Sequence, residues 1–281
     1  MNRFGKLKAL SRVLRWQFAS RILPEASFVL PFGNGKLFMR RGMTGATGNW
    51  YCGLDEVDDM GFVLHVLRRG DWFVDAGANI GSYSILAATG SGANVIAVEP
   101  ILQTFASLQA NIRLNNQEDL ITAHCVGLSS CCGTLRFTTT YDTVNHVLAE
   151  GESAVNEEIT VTTLDKLLGA TIPTVIKIDV EGHELSVMAG AEKTLSSPNL
   201  LAVVMEINGS GIRYGIDDRE LDDLMKRYGF EACRYSAIDK SLKTFAIAGK
   251  RSGNTIFVRN IEEIERRIKM APKIRLVNGW L

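Results

Sequence analysis

Short apolar runs alternate with helix-like segments along residues 72–228, and this alternation constrains the fold more than any other feature. Phe73-Val74 and residues 95–98 are apolar without alternation, as strands covered on both faces of a parallel sheet require. Because a helical segment follows each strand, right-handed crossovers and a doubly wound α/β sheet are predicted. The parallel strands are expected over residues 72–76, 94–98, 121–126, 175–178 and 200–207. The helices are expected over residues 56–67, 82–89, 104–114, 183–195 and 218–228.

Three regions are predicted along the chain. Residues 1–55 are expected to form an N-terminal helix and a short β-rich segment, residues 56–260 the main domain, and residues 261–281 a C-terminal helix and tail. Strands at residues 231–235 and 255–259 are expected to close the sheet as an antiparallel pair. Residues 130–162 are expected to form an inserted hairpin that encloses a polar loop over residues 141–156.

Glycine, asparagine and proline divide the N-terminal region. Asn34-Gly35 lies between apolar runs and predicts a β-hairpin. Gly42, Gly45 and Gly48 indicate a loop after this hairpin, and Pro24 is expected to end the first helix.

That first helix is expected to be amphipathic and basic. Residues 1–21 contain six basic side chains and no acidic one, while apolar residues recur at steps of three and four: Phe4, Leu7, Leu10, Leu14 and Phe18. We expect the apolar face to pack on the domain and the basic face to lie in water. Peripheral contact with an anionic membrane surface is the alternative.

Overall composition excludes several classes of protein. Lys+Arg and Asp+Glu both number 31, so the chain has no net positive charge that would favour binding to nucleic acid. No run of 18 apolar residues is present, which argues against an integral membrane segment. Five cysteines without a CxxC pair suggest neither a disulfide framework nor a zinc site, and no secretory signal begins the chain. A cytoplasmic location is therefore expected.

Acids and amides are predicted at the ends of four parallel strands, where ligands bind in an open α/β sheet. The turn after the first strand contains Asp75, Gly77, Asn79 and Gly81, and the following strands end at these residues: Glu99; Asp179, Glu181 and His183; Glu206 and Asn208.

The first turn favours an adenosyl ligand without phosphates. Its spacing is D-x-G-x-N-x-G, and Asn79 stands where a dinucleotide fingerprint has the glycine that admits the pyrophosphate. Glu99, 22 positions after Gly77 (99 − 77), can accept hydrogen bonds from a ribose diol, and Asp75 can attract an ammonium group. These features describe S-adenosylmethionine. The alternative is that Asp75 caps the next helix and that Glu99 is a solvated acid.

Three blocks of sequence resemble the FkbM-type family of S-adenosylmethionine-dependent methyltransferases. They are residues 73–83 (FVDAGANIGSY), 96–100 (IAVEP) and 176–184 (IKIDVEGHE), within a resemblance that covers about half the chain. It implies a class I, Rossmann-like sheet of seven mostly parallel strands, with the last antiparallel. It also implies O-methylation of a sugar, glycan or microbial natural product, with these residues at the methyl-donor site: Asp75, Gly77, Asn79, Gly81 and Glu99.

O-methylation needs a group that orients the acceptor hydroxyl and removes its proton. The candidates are Asp179 and Glu181 after the fourth strand, His183 at the start of the next helix and His146 in the inserted polar loop. A divalent metal bound by Asp179, Glu206 and Asn208 is a possibility that we do not favour. Each candidate has a structural alternative, such as a helix cap at Asp179 or a solvated histidine at position 183.

Two other functions stay open at this stage. A nicotinamide-dependent sugar oxidoreductase or epimerase would want the missing glycine and a Tyr-x-x-x-Lys pair, which the chain lacks. A non-enzymatic binding module is argued against by Asp75, Glu99 and Asp179 together. A nucleic-acid methyltransferase is disfavoured because Asn-Pro-Pro-Tyr and Pro-Cys motifs are absent as well.

Overall fold

The computed structural model describes residues 3–22, 27–40, 43–139, 144–246, 253–276 and 279–281. Its helices are α1 Arg3–Ile22, α2 Thr44–Cys52, α3 Val57–Val66, α4 Ser82–Ser91, α5 Leu102–Leu114, α6 Leu164–Leu168, α7 Glu184–Ala189, α8 Glu192–Ser196, α9 Asp218–Arg227 and α10 Ile261–Lys269. A 3₁₀ helix spans Ser210–Tyr214.

The strands are short, and the first two precede α2 in the chain. They are β1 Phe28–Phe32, β2 Gly35–Met39, β3 Trp72–Ala76, β4 Asn94–Val98, β5 Ile121–His124, β6 Gly127–Leu128, β7 Gly133–Thr138, β8 Asn156–Thr162, β9 Val175–Ile178, β10 Ala202–Glu206, β11 Glu231–Ser236, β12 Ser241–Thr244, β13 Asn254–Val258, β14 Arg275–Leu276 and β15 Gly279–Trp280.

The main sheet has the strand order β12-β11-β13-β10-β9-β3-β4-β5. Strands β5, β4, β3, β9 and β10 are mutually parallel, and β13 runs antiparallel between β10 and β11. The predicted class I methyltransferase sheet of seven strands is thereby confirmed. An eighth strand, β12, extends the edge by pairing antiparallel with β11. This strand is short and three of its four residues are polar, so no apolar run in the sequence predicted it.

Helices cover both faces of this sheet, as the unbroken apolar strands predict. Phe73 and Val74 are neighbours on β3, point to opposite faces and are both fully buried. Phe73 packs in a core with side chains of α3, α4 and α5, whereas Val74 packs with side chains of α6, α7 and α9. Two cores therefore hold the strand ends that build the site.

The predicted N-terminal hairpin is confirmed, and it is fastened to the main sheet's helices. Strands β1 and β2 pair antiparallel around Gly33-Asn34. The buried amide of Asn111 on α5 accepts a hydrogen bond from Phe38 N at 2.7 Å and donates one to Ile80 O at 2.8 Å. This side chain therefore links the hairpin to the turn after β3.

The loop predicted around Gly45 and Gly48 is instead the helix α2. A Cβ on Gly48 would lie 2.1 Å from Asp55 Oδ2, so this glycine serves close packing and not a chain reversal. Gly42 and Pro24 lie outside the described residues.

The single helix predicted over residues 183–195 is divided into α7 and α8. Gly190 lies at the break, where a Cβ would come within 2.2 Å of Ser129 O. Its carbonyl accepts a hydrogen bond from Asp165 N at 3.0 Å. Tertiary contacts with α6 and the segment after β6 thus end a helix that the local periodicity would continue.

The inserted hairpin forms as expected from β7 and β8, which pair antiparallel, and β6 adds a third strand parallel to β8. Part of the enclosed loop, including Tyr141 and Asp142, lies outside the described residues. The described part returns along β7 through a bridge between Phe137 and Val147.

Helix α1 does not bury the face that its sequence pattern indicates, so that expectation is wrong. Leu10, Leu14 and Phe18 are exposed, while Arg12 and Trp16 are buried. The reason is that α1 rests on β1 and α2 through Trp16, whose ring meets Phe28 edge-on at 5.5 Å. The side chains of Phe4 and Leu7 lie outside the described part of the chain.

Within the described ranges, no helix has both the length and the apolar character needed to cross a bilayer. The division at residues 55 and 260 stays a prediction.

Candidate active site

A cavity of about 410 Å³ opens at the carboxyl ends of the central parallel strands. Asp75, Glu99, Asp179 and Glu206 border it, one from each of four strands or the turn that follows. Residues from α2 and the inserted loop, such as Asn49 and Val144, complete its wall. These are the acids that we expected from the rule that ligands bind at this edge of an α/β sheet.

The glycine turn after β3 is shaped by left-handed backbone at alternate residues. Gly77, Asn79 and Gly81 have φ values of 79°, 51° and 90°. Gly77 and Asn79 border the cavity. Gly81 is not among the residues that border it, and a Cβ there would lie 2.5 Å from Leu108 Cδ1. Gly81 thus supports the turn from behind by admitting α5.

Gly77 makes room for the neighbouring strand end. A Cβ on Gly77 would lie 1.8 Å from the carbonyl oxygen of Asp179. Gly77 N also donates to Val98 O at 3.0 Å, and Asp179 N donates to Ala76 O at 3.0 Å. The glycine is therefore required because three strands converge at this point. The sequence analysis explained Gly77 only by its place in the turn that binds the cofactor.

Glu99 holds the turn in place with both carboxylate oxygens. Oε2 accepts from Asn79 N at 3.0 Å, and Oε1 accepts from Ile101 N at 2.9 Å. The residue is 6% exposed, and burial raises the pKa of Glu99 to about 7. Each oxygen retains a lone pair beyond these bonds, so the carboxylate can also accept hydroxyl donors in the cavity.

Asp75 is buried beneath the turn. Its Oδ2 accepts from Ser84 Oγ at 2.6 Å, and burial raises the pKa of Asp75 despite the nearby Lys177 ammonium. The β3–β9 register sets Asp75 directly beside Lys177. This carboxyl therefore ionises more readily when a positive charge lies beside it in the cavity.

Lys177 brings a cation to the centre of the site, and it binds Asp179. The distance from Lys177 Nζ to Asp179 Oδ2 is 2.5 Å, and the ammonium lies 4.8 Å from the centre of the Tyr83 ring. Burial disfavours its charge, but Asp179 and Asp75 raise the pKa of Lys177 above its ordinary value. The sequence analysis did not assign Lys177 to the site, because a lysine inside a buried strand resembles a structural ion pair.

Asp179 and Glu206 are neighbouring carboxyls, with oxygens within 4.8 Å of each other. Burial and the neighbouring Asp179 raise the pKa of Glu206 to about 9. Burial opposes ionisation of Asp179 too, but Lys177 prevails and lowers its pKa. Burial and the nearby Asp179 carboxylate therefore favour the protonated form of Glu206. Glu206 Oε2 is buried and has no hydrogen-bond partner among the described residues.

Glu181 completes an acidic group with this pair, since carboxylate oxygens of the three residues lie within 4.8 Å of one another. Burial, followed by repulsion from Asp179 and Glu184, raises the pKa of Glu181 to about 7. Its backbone is left-handed, with φ of 54°, a conformation that non-glycine residues seldom adopt. Gly182 N donates to Glu184 Oε1 at 3.0 Å and so helps to hold this turn.

His183 borders the cavity, as the sequence led us to expect. Its Nε2 lies 3.1 Å from Ser129 Oγ, and its ring meets Tyr214 edge-on at 5.9 Å. Burial lowers the pKa of His183 to about 4, so the ring is neutral at neutral pH.

His146 is not brought together with Asp179 and His183. Its Nε2 lies 3.0 Å from Glu152 Oε1, its Nδ1 lies 2.9 Å from Val144 O, and the residue is not among those that border the cavity. The neighbouring Asn145 does border it. The sequence identified the loop but not which of its side chains turns inward.

Asn208 is not among the residues that border the cavity, and its Oδ1 accepts from Ser210 N at 2.8 Å. By contrast, Glu56 and Tyr83 border the cavity without having been predicted. Tyr83 Oη donates to Glu56 Oε2 at 2.7 Å, and Asn254 donates to Glu56 Oε1 at 2.7 Å. Tyr83 ends the family-like block of residues 73–83 but was given no role there, and Glu56 resembles an ordinary residue at the start of a helix.

The fold and this acid-lined cavity define an α/β enzyme of the class I methyltransferase type. The FkbM methyltransferase domain matches residues 75–232, which is more than half of the chain. The chain therefore belongs to the FkbM methyltransferase family. Family membership implies S-adenosylmethionine as the methyl donor and confirms the predicted methyltransferase class over the nicotinamide-dependent alternative.

A curated relative is the hexuronic acid methyltransferase AglP of Haloferax volcanii. It is 31% identical over 177 residues, which cover 60% of this chain and 67% of AglP. Among solved structures, methyltransferase FkbM of Methylobacillus flagellatus is 16% identical with a TM-score of 0.45, and the match covers 88% of this chain but 60% of that one. The C-terminal domain of a Rhodobacter capsulatus precorrin-6Y methyltransferase is 14% identical over 73% of this chain and 88% of its own, with a TM-score of 0.41.

The contact at Gly77 leads to a stability prediction. We expect Gly77→Ala to lower the free energy of unfolding by about 2–4 kcal/mol, because the new Cβ meets the Asp179 carbonyl and the backbone must shift. Gly70→Ala is the matched control: Gly70 has φ of 87°, but a Cβ added there would have no described atom within 4 Å. It should cost only about 1 kcal/mol for the left-handed backbone. Urea unfolding of both variants checks this, and equal losses would contradict it.

Proposed function

We propose that the protein transfers the methyl group of S-adenosylmethionine to a hydroxyl of a sugar, glycan or microbial natural product. The observation that carries this proposal is one cavity bordered by Glu99 on one strand and by Asp179, Glu181 and His183 beyond another. One part suits a ribose and a cation, and the other suits an acceptor hydroxyl. The hexuronic acid methyltransferase among the relatives supports a sugar acceptor.

The cofactor half of the proposal assigns Glu99 to the ribose hydroxyls and the Asp75 side to the cationic end. Burial disfavours the ionised form of the carboxyls around Lys177. A ligand with positive charge would compensate for this effect, so the site favours a cationic ligand. Gly77 and Asn79 would lie against the cofactor, and Gly81 would hold the turn. The methyl donor supplies an electrophilic carbon bonded to a sulfonium.

In the acceptor half, we propose that Glu181 receives the hydroxyl proton. Its pKa of about 7 suits a base at neutral pH better than the lowered pKa values of Asp179 and His183. Asp179 orients the acceptor and raises the pKa of Glu181 by repulsion, while the neutral His183 offers a hydrogen bond. The new carbon–oxygen bond forms as the carbon–sulfur bond breaks, and the proton passes to the Glu181 carboxylate. His146 has no part in this proposal.

We propose that no divalent metal is needed. Asp179, Glu181 and Glu206 offer oxygen ligands that could hold a hard cation. However, Lys177 already neutralises Asp179 at 2.5 Å, and the raised pKa of Glu206 disfavours the carboxylate form that a metal ion would bind. The Lys177 ammonium thus supplies the positive charge that a metal ion would supply at this position.

The partners that we propose are small: a sugar or glycan acceptor, and no nucleic acid. The cytoplasmic location expected from the sequence stays a prediction.

Glu99→Gln tests the cofactor half. The amide keeps one accepting oxygen and the shape of the side chain, but it loses the charge and one acceptor. We expect S-adenosylmethionine to bind about 1.5–3 kcal/mol more weakly, as for the loss of a hydrogen bond to a charged group. Isothermal titration calorimetry measures the affinity, with the exposed Glu157→Gln on β8 as control. Unchanged affinity in a folded Glu99 variant would contradict the assignment.

The pH dependence of turnover tests the acceptor half. A base must be deprotonated, so the rate should rise with pH through about 7, where Glu181 titrates, and then level off. Glu181→Gln should lower the rate by about 10²–10⁴-fold and remove this inflection.

Asp179→Asn should lower the rate and move the inflection to lower pH, because it removes a charge that raises the pKa of Glu181. His183→Gln should keep the inflection in place, since His183 titrates near 4. An inflection that survives in Glu181→Gln would show that another group is the base.

Chelation tests the metal proposal separately. Turnover measured with and without EDTA should be equal, because Lys177 supplies the positive charge beside Asp179. A loss of activity that added Mg²⁺ restores would instead assign the acidic group to a metal ion.

A further inference from the structure

Helix α1 has two apolar faces, and only one of them is packed within the described part of the chain. On the inner side, Trp16 is 7% exposed and contacts a small core with Met39, Ala46 and Ile80. Arg12 is also buried and donates to Tyr51 O on α2 at 2.7 Å. The helix is therefore fixed to the domain along the line of residues 12, 16 and 20.

The outer side carries a row of large apolar side chains. Leu10, Leu14, Phe18 and Ile22 follow one another at four-residue steps and are 55%, 63%, 70% and 59% exposed. A row of this kind runs for about 18 Å along a helix, at 1.5 Å per residue. We call these four residues the α1 stripe. Single exposed apolar residues are normal, but an aligned row of four indicates a surface that contacts something apolar.

The charge of the same segment indicates what that contact is. Residues 1–21 contain six basic residues and no acidic one, although the whole chain has 31 of each sign. Arg15 and Arg21 are exposed on α1, where they adjoin the α1 stripe along the helix. Apolar side chains flanked by arginines match the boundary between acyl chains and anionic headgroups, where long basic side chains reach the phosphates. An apolar protein partner would not require this charge.

We infer that α1 binds the protein to an anionic membrane surface, with the α1 stripe inserted among the lipids and the arginines at headgroup level. Helix α2 connects α1 to the cavity: Asn49 on α2 borders the cavity and donates to Ser82 Oγ at 3.3 Å. Docking through α1 would therefore hold the site close to the membrane. This inference does not depend on the identity of the methyl acceptor.

Sedimentation of the full chain with lipid vesicles tests the inference without any activity assay. The chain should sediment with vesicles of equal parts phosphatidylcholine and phosphatidylglycerol, and much less with phosphatidylcholine alone. Added salt should weaken the binding, because it screens the basic residues. Leu14→Glu with Phe18→Glu should lower the partition coefficient by at least about tenfold, since two apolar side chains no longer enter the bilayer.

The matched control replaces two exposed apolar residues elsewhere, Ile238→Glu with Met270→Glu, which are 76% and 67% exposed. This control should bind like the parent, and equal Tm values should show that both double variants are folded. Arg15→Glu with Arg21→Glu should also weaken binding by at least about tenfold.

The inference would be overturned if the parent protein did not bind anionic vesicles, or if the variant with Leu14→Glu and Phe18→Glu bound like the control. It would also be overturned if light scattering showed that the parent is a dimer and that this variant is a monomer. The last result would show that the α1 stripe contacts a second copy of the chain.

Discussion

The contact between Gly77 and the carbonyl of Asp179 is the constraint on which the site depends. It allows the turn after β3 to lie directly against the end of β9, where any side chain on Gly77 would collide at 1.8 Å. The hydrogen bonds of Gly77 and Ala78 to Val98 O join the end of β4 to the same point. Glu99 then closes the arrangement by accepting from Asn79 N. Three strand ends thus share one backbone junction, and the carboxyls of Asp75, Glu99 and Asp179 meet around it.

That convergence creates an electrostatic problem, which the buried Lys177 solves in part. Its ammonium neutralises Asp179 at 2.5 Å, and its proximity also opposes the rise in the pKa of Asp75. Glu206 and Glu181 are not neutralised in this way, so burial and mutual repulsion raise their pKa values to about 9 and 7. A cavity in this state favours a cationic ligand and disfavours a phosphate, because added negative charge would increase the same repulsion. The absence of a pyrophosphate glycine at Asn79 and the surplus of acids therefore point to the same class of cofactor.

The parts of the fold that follow from local pattern and strand ends could be predicted from the sequence. Phe73-Val74 and residues 95–98 indicated buried parallel strands, and the acids after them indicated the edge where ligands bind. The hairpin at Asn34 followed from turn chemistry. Glu99, Asp179 and His183 were located correctly because a position at a strand end fixes a residue in space with little help from the rest of the chain.

Predictions failed where a tertiary contact decides the outcome. Gly190 ends a helix because it approaches Ser129, which is distant in sequence, and Gly48 packs inside a helix against Asp55, which lies just beyond that helix. His146 contacts Glu152, although its neighbour Asn145 borders the cavity. The direction of the side chain thus changes from one residue to the next. The face of α1 was assigned wrongly because both of its sides carry apolar residues, and periodicity cannot tell which one packs.

The two halves of the site are also bordered by different kinds of structure. The proposed cofactor half consists of strand ends and the turn between β3 and α4, which the sheet itself determines. Asp179, Glu181 and His183 of the proposed acceptor half also follow a strand, but the wall beside them includes Val144 and Asn145 from the loop of the β7–β8 hairpin. Tyr214, which ends the 3₁₀ helix after β10, links this loop to His183, because its hydroxyl donates to Val147 O while its ring packs on His183. Substitutions in the loop or the 3₁₀ helix can therefore reshape the acceptor side and change the surroundings of His183. A family with this construction can keep one methyl donor and change acceptors by altering segments that carry no recognisable motif.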